Sequence, residues 1–371
     1  MGKPTQKQPA AGGIEFDRLV RIARCGIRGD GQGVRSALSG LDESSDGLAA
    51  ALQRHQLGEL AVQALRADDP GSRLAGAIAD GLERVRWFPP VEARVLLAAF
   101  VELQEAFRAV HLPVLILKGA VLAQRLYGGL DRRPQYDLDL LITRAGARRA
   151  RQVTRGLGYE LVRRYQHAVS LRRAPIEVDL HWALRSAPAY RIDYDRVWED
   201  AVPVKLDQVA ARTLSDEHLL LLLASSLVED AALGTARLKQ LCDLWLLAQE
   251  LDASFDWDAW FQARRSERLE TVVANGLALT LGVLDAWGDA PRLGQALESR
   301  SALLRIGGRE QATMLLASSG VAAANSKWFD SVYPGSPFVY RMHSFVTGLP
   351  ASLRDVRPAR YLPSRLRPKR A

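Results

Sequence analysis

Two cysteines, Cys25 and Cys242, are all that 371 residues contain; they lie far apart, and neither sits in a Cys-x-x-Cys or Cys/His zinc spacing. A disulfide framework and a cysteine zinc site are thereby excluded, and a reducing, cytoplasmic setting is expected. Long hydrophobic runs are missing too. The best, around residues 219–223 and 271–284, fall short of the roughly 18 apolar residues that a membrane-spanning helix needs. Residues 1–13 are polar, contain Gly and Pro, lack an apolar signal core and read as a disordered tail. No Gly-x4-Gly-Lys-Ser/Thr phosphate loop and no Gly-x-Ser-x-Gly nucleophile turn occurs, which argues against P-loop and serine-hydrolase chemistry. The glycines of residues 29–33 follow no strand and lack the Gly-x-Gly-x-x-Gly spacing, so they read as a loop.

What is present is an ordinary globular composition. With 48% hydrophobic residues, the chain can bury a large core and is expected to form two or three domains. Apolar periodicity predicts amphipathic helices over residues 14–66 and a long helix over 91–110 leading into a strand at Val114. A strand, helix, strand unit follows, then a helix over 145–156 and two strands, around 159–171 and 176–182. From Ser215, a predicted N-cap before Asp216 and Glu217, the pattern returns to helices, including 236–251. The expected division is a tail (1–13), an N-terminal helical region (14–110), a mixed-sheet core (111–205), a second helical region (206–300) and a C-terminal extension with a basic tail (301–371).

Charge is unevenly spread. The net balance is +8, and residues 144–173 hold nine arginines against one acid, Glu160, while residues 352–371 hold seven basic residues against Asp355. Such patches draw polyanions, but no recognised nucleic-acid-binding motif accompanies them and interleaved aromatics are few, so solvated faces remain an alternative.

The densest chemical signal lies in residues 117–142. An apolar strand ends in Lys118-Gly119, a helix follows over 120–127, and Asp137-Leu138-Asp139 enters a second apolar strand. Carboxylates at i and i+2 of a strand share a face, and burying both without a partner is costly. An ion pair with Arg132 or Arg133 is one answer. The other is Mg²⁺, which favours one or two carboxylates with substrate phosphates. A third acidic strand carries Glu177 and Asp179 about forty residues on. Two aspartates with a third on a neighbouring strand is the pattern of a two-metal phosphoryl or nucleotidyl transfer site. Gly119 permits close backbone approach at the start of the helix, where a triphosphate could dock.

The run Leu117-Lys118-Gly119, Leu122-Ala123, Leu126-Tyr127, Arg133-Pro134, Asp137-Leu138-Asp139-Leu140-Leu141-Ile142 and Glu177-Val178-Asp179-Leu180-His181-Trp182 resembles the uncharacterised nucleotidyltransferase family of the DNA polymerase β-like superfamily. The resemblance spans roughly residues 50–300, and its specific part is about 112–182. It implies an α+β fold, a small mixed-sheet nucleotidyltransferase core flanked by N-terminal and C-terminal helical regions. It also implies a Mg²⁺-dependent enzyme with two ions, or Mn²⁺ in their place, held by Asp137, Asp139 and Asp179. Lys118, Gly119 and Arg133 would bind the nucleotide, ATP by default. Lys118 stands where relatives in the superfamily more often have Gly-Ser or Gly-Gly, so it either replaces the serine as a point charge or is a surface lysine. Arg133 could reach the triphosphate, brace the aspartates, or lie solvated in its loop.

Glu177 is the fallback third carboxylate, and His181 either moves protons or is structural. Lys239 and Asp243 resemble a family pattern, with an exposed i, i+4 pair as the simpler account. Relatives tend to carry histidines near residues 225–230, where this chain has Ser225, Ser226, Glu229 and Asp230. The expected reaction moves a nucleoside monophosphate from an NTP to a hydroxyl or similar acceptor on a small molecule or peptide, releasing pyrophosphate. The alternatives are a nucleic-acid-modifying transferase and a non-catalytic nucleotide-binding protein.

Overall fold

The computed structural model describes residues 14–43, 45–85, 91–185, 189–306, 316 and 322–336. The expected N-terminal tail and the basic tail of residues 352–371 lie outside them. Among the described residues, five helices come first: α1 (Phe16–Ile27), α2 (Gly31–Leu38), α3 (Asp46–His55), α4 (Gly58–Asp68) and α5 (Arg73–Val85). The glycine loop expected over 29–33 is shorter than its composition suggests. Only Gly29 takes a left-handed φ of +69°; Asp30 then caps α2 by accepting the Gly33 N–H at 2.8 Å, so Gly31 and Gly33 are already helical.

The sheet follows α6 (Ala93–Ala109). Its strands are β1 (Val114–Ile116), β2 (Leu138–Ile142), β3 (Glu160–Arg164), β4 (Ala168–Arg173) and β5 (Ile176–His181), with α7 (Ala120–Leu126) between β1 and β2 and α8 (Ala147–Gly156) between β2 and β3. The order across the sheet is β1-β2-β5-β4-β3, with β2 and β5 parallel and every other neighbour antiparallel. Residues 159–171, expected as one strand, are a hairpin instead. β3 turns at Gln166 and His167 into β4, and because all of β3 is exposed, no apolar alternation marks its end.

Beyond α9 (Tyr194–Glu199), a hairpin of β6 (Val202–Leu206) and β7 (Val209–Thr213) packs beside β1, where the Thr213 hydroxyl donates to the Ile116 carbonyl at 2.6 Å. This pair lies outside every strand that the sequence pattern predicts. Among the described residues, the helices that follow include α10 (Asp216–Ala232), α11 (Leu238–Leu251), α12 (Trp257–Ser266), α13 (Glu270–Leu284), α14 (Pro291–Glu298) and α15 (Ala322–Val332). Ser215 occupies the cap position of α10, but its hydroxyl meets His218 Nδ1 at 2.9 Å rather than a backbone N–H.

The described residues form two apolar cores. One face of the sheet, through Ile116, Leu138, Leu140, Ile142, Val178 and Leu180, packs with Phe100, Leu103 and Phe107 of α6 and Ala150 of α8. The other core joins α1–α5 to α10, α11 and α13 and touches the sheet through Leu115 and Leu141. α13 is apolar on almost all sides, as its burial between helices requires. It crosses α10 closely because Gly276 has no side chain: a Cβ there would stand 2.6 Å from the Ala224 carbonyl oxygen. The fold is thus α+β, a mixed five-stranded sheet flanked by helices.

Candidate active site

Strand alternation builds the site. Leu138, Leu140 and Ile142 of β2 and Ile176, Val178 and Leu180 of β5 enter the α6–α8 core. Asp139, Glu177, Asp179 and His181 therefore point to the opposite face. The parallel register sets Asp139 beside Asp179 and Leu141 beside His181. One ligand atom each from Asp139, Asp179 and His181 lie within 4.8 Å of one another. Asp137, just before β2, stands outside this trio.

Asp139 is 4% exposed, so its charge needs partners. Lys118 Nζ at 3.4 Å and His181 Nε2 at 3.1 Å both meet its Oδ1. Burial alone would push its pKa up, but Lys118 and His181 outweigh that and hold it near 2. The same attraction raises Lys118, Asp139 acting more strongly than burial. Asp137 is pushed the other way, to about 6, by burial and then by the charge of Asp139. Asp179 is also raised, by burial and Asp139, with a hydrogen bond from the Ser170 hydroxyl opposing. Three crowded carboxylates with one lysine between them form a site that gains from added positive charge.

The donor set fits a hard divalent cation. Two carboxylates suit Mg²⁺ or Mn²⁺, and the imidazole in the same trio favours the transition metal of the two. Gly119, at φ +55° and ψ −100°, turns the chain between Lys118 and α7. A Cβ there would lie 3.3 Å from Gln135 Oε1. The phosphate-loop expectation for Lys118 and Gly119 thus meets a lysine already seated on Asp139 and a backbone that only glycine adopts readily.

Other expected residues fall elsewhere. Arg133 neither braces the strand aspartates nor lies solvated. It is 6% exposed, and its Nε and Nη2 reach the two oxygens of Asp243 at 2.8 and 2.6 Å. The Tyr127 hydroxyl donates to the same carboxylate at 2.7 Å. Burial would raise Asp243, yet Arg133 keeps its pKa below the usual range. Lys239 and Asp243 are not an exposed pair: both are buried, and Lys239 Nζ donates to the Pro134 carbonyl at 2.9 Å beside the Tyr136 ring. Burial, then Arg133, lowers Lys239 to about 7. α11 thus grips the 133–137 segment at two points. Glu177 shares the Asp179 face but pairs with Arg172 at 2.7 Å.

Three residues here escaped the sequence reading. Ser170 faces Asp179 from β4. The His167 ring lies 5.7 Å from that of His181, tilted by 36°. Arg185, just past β5, holds Glu229 at 2.8 Å and Ser225 at 3.2 Å on α10 and acts electrostatically on Lys118. Only the hairpin and the α10 packing bring them in; no short motif contains them.

The sequence profile of the family described as "Uncharacterised nucleotidyltransferase" matches residues 42–284, more than half of the chain, and the chain belongs to that family. No curated protein matches it. Among solved structures, it is similar to a crystal structure of an antigenic nucleotidyltransferase-like protein from Paracoccidioides brasiliensis. The two are 16% identical with a TM-score of 0.33, over 57% of this chain and 94% of that one. No helix among the described residues is long and apolar enough to cross a membrane.

Proposed function

We propose that the protein is a divalent-metal-dependent nucleotidyltransferase that moves a nucleoside monophosphate from an NTP, ATP by default, to a hydroxyl acceptor. The observation that carries this is the in-register pair Asp139 and Asp179 with His181, three ligand atoms within 4.8 Å on one sheet face, in a chain of the nucleotidyltransferase family.

Asp139 and Asp179, with His181 and with Asp137 beside them, would hold Mg²⁺ or Mn²⁺, one ion or two, which supplies charge neutralisation at the transferring phosphate. Lys118, on the β1 side of the cluster, offers its ammonium to the triphosphate. Gly119 leaves room for the phosphates to approach the backbone. Asp179, beside Asp139 on the same sheet face, would take the proton of the acceptor hydroxyl. That oxygen bonds to the α-phosphorus, the bond to the pyrophosphate oxygen breaks, and the hydroxyl proton passes to the carboxylate. His181 keeps Asp139 oriented. Arg133 acts at a distance by fixing the segment that carries Asp137.

Asp139→Asn keeps the shape and removes one negative charge, so transfer is expected to fall at least about 100-fold, the scale of losing one preorganised electrostatic partner. Mass spectrometry reads the gain of a nucleoside monophosphate on the acceptor, and circular dichroism checks folding. Normal turnover by the folded variant would sink the carboxylate mechanism. A gain of phosphate alone would make the protein a kinase.

A further inference from the structure

The sheet edge away from Lys118 carries chemistry that the transfer reaction does not use. Arg144, Arg148, Arg149, Arg151, Arg155, Arg163 and Arg164 are exposed, and none is ion-paired with a carboxylate among the described residues. Arg148, Arg151 and Arg155 recur at i, i+3 and i+7, one face of α8, at about 5.4 Å per helical turn. They line a cleft of about 550 Å³ between α8 and β3, whose floor is Tyr159, Leu161 and Leu171 and whose one acid is Glu160.

The edge strand continues this surface around to the site face. A bulge after Leu161 reverses the alternation, so Arg163 pairs with Ser170, the residue bonded to Asp179. Arg163 donates to the Tyr165 hydroxyl at 3.2 Å and lies 5.8 Å from its ring centre. Tyr165, 38% exposed, is 6.4 Å from His167, which is 5.7 Å from His181. Rings therefore lead from the arginine edge to the trio of Asp139, Asp179 and His181.

We infer that this edge binds a single-stranded nucleic acid: α8 and Arg163 take its phosphates, Tyr165 stacks a base, and its terminal hydroxyl reaches Asp179 as the acceptor. The inference rests on the nucleotidyl-transfer reading for its last part. Unpaired guanidiniums at turn-length spacing, next to an exposed aromatic ring, match a strand that offers phosphates and base faces together. An acidic peptide would satisfy the arginines but leave Tyr165 and the ring path without a role. In the transfer, the strand's terminal oxygen bonds to the α-phosphorus, pyrophosphate departs, and the proton passes to Asp179.

Fluorescence anisotropy with labelled 12-nucleotide RNA and DNA, across a salt series on the full chain, tests the surface. Arg148→Gln/Arg151→Gln/Arg155→Gln should bind at least about tenfold more weakly, and its log-log salt slope should be shallower by about 2, as three lost phosphate contacts predict. Tyr165→Ala should weaken binding and Tyr165→Phe should restore it. Tighter binding of RNA or of DNA identifies the strand type. Three results overturn the surface: no wild-type binding, an unchanged triple variant shown to be folded, or equal competition by polyglutamate. Incubation with NTP and Mg²⁺ then tests the acceptor role. One nucleotide added to the strand by wild type and not by Asp139→Asn supports it. Transfer to small hydroxyl compounds alone overturns the acceptor role and leaves nucleotidyl transfer standing. Strand binding with no transfer to anything overturns the reaction and leaves the surface.

Discussion

Asp243 decides more than its place in a helical run suggests. It accepts both Arg133 contacts and the Tyr127 hydroxyl, so one carboxylate ties the end of α7 and the approach to β2 onto α11. Asp243→Ala would strand a buried guanidinium, at a cost of about 3–5 kcal/mol. Urea denaturation should show that loss, and a shift under about 1 kcal/mol would mean Arg133 finds another partner. Gly119 is limiting for a different reason. At φ +55° and ψ −100°, with Gln135 Oε1 3.3 Å from where a Cβ would be, Gly119→Val strains the backbone and fills the phosphate approach. NTP affinity, read by isothermal titration on the folded variant, should fall at least about tenfold, and unchanged affinity would remove Gly119 from the nucleotide site.

At the scale of elements, α3 and α11 meet through a buried histidine. His55, 3% exposed, ends α3 and accepts the N–H of Leu238, the first residue of α11, on Nδ1 at 3.3 Å. Burial, then Arg54 and Arg237, lowers its pKa to about 3. Between about pH 3 and 6.5 the unfolded chain therefore binds a proton that the folded one refuses. The stabilisation is complete above 6.5 and is lost as pH falls through that window, by about 2 kcal/mol at pH 5. His167 and His218 are lowered by burial in the same direction, so the wild-type slope exceeds one histidine's share. His55→Gln keeps an acceptor without a titrating ring. Its urea midpoint should change less than that of wild type between pH 7.5 and 5, and parallel slopes would show that His55 does not drive the acid loss.

For the molecule as a whole, the larger core is shared between the first helices and the last. α1 packs on α11 and α13, and Arg24 and Arg28 lie 5.2 and 5.1 Å from the ring centre of the fully buried Trp245. A chain beginning at residue 91 would open that face to water. Such a fragment is expected to aggregate or to show red-shifted tryptophan emission, checked by size-exclusion chromatography and fluorescence. A monodisperse fragment with native emission would make the N-terminal helices a separate unit. α6, by contrast, belongs with the sheet, whose inner face it covers.

Local pattern alone determined the strands β1, β2 and β5, the helices around them and the shared face of Glu177, Asp179 and His181, because side-chain direction along a strand depends only on its period of two. The family resemblance was legible there for the same reason: Asp137, Asp139 and Asp179 keep their spacing in a short, continuous stretch. Three-dimensional packing decided the rest. Arg133 and Asp243 are 110 residues apart, and nothing in either neighbourhood states that they meet. Lys239 reads as exposed because its helix is amphipathic only in part, and the burial comes from the segment laid over it. The turn that separates β3 from β4 was hidden because an edge strand carrying arginines buries no alternate face, and β6 and β7 because a short hairpin of mixed residues gains its place by pairing beside β1. His167 and Arg185 join the site through a turn and a helix contact, and such contacts exist only once the chain has folded.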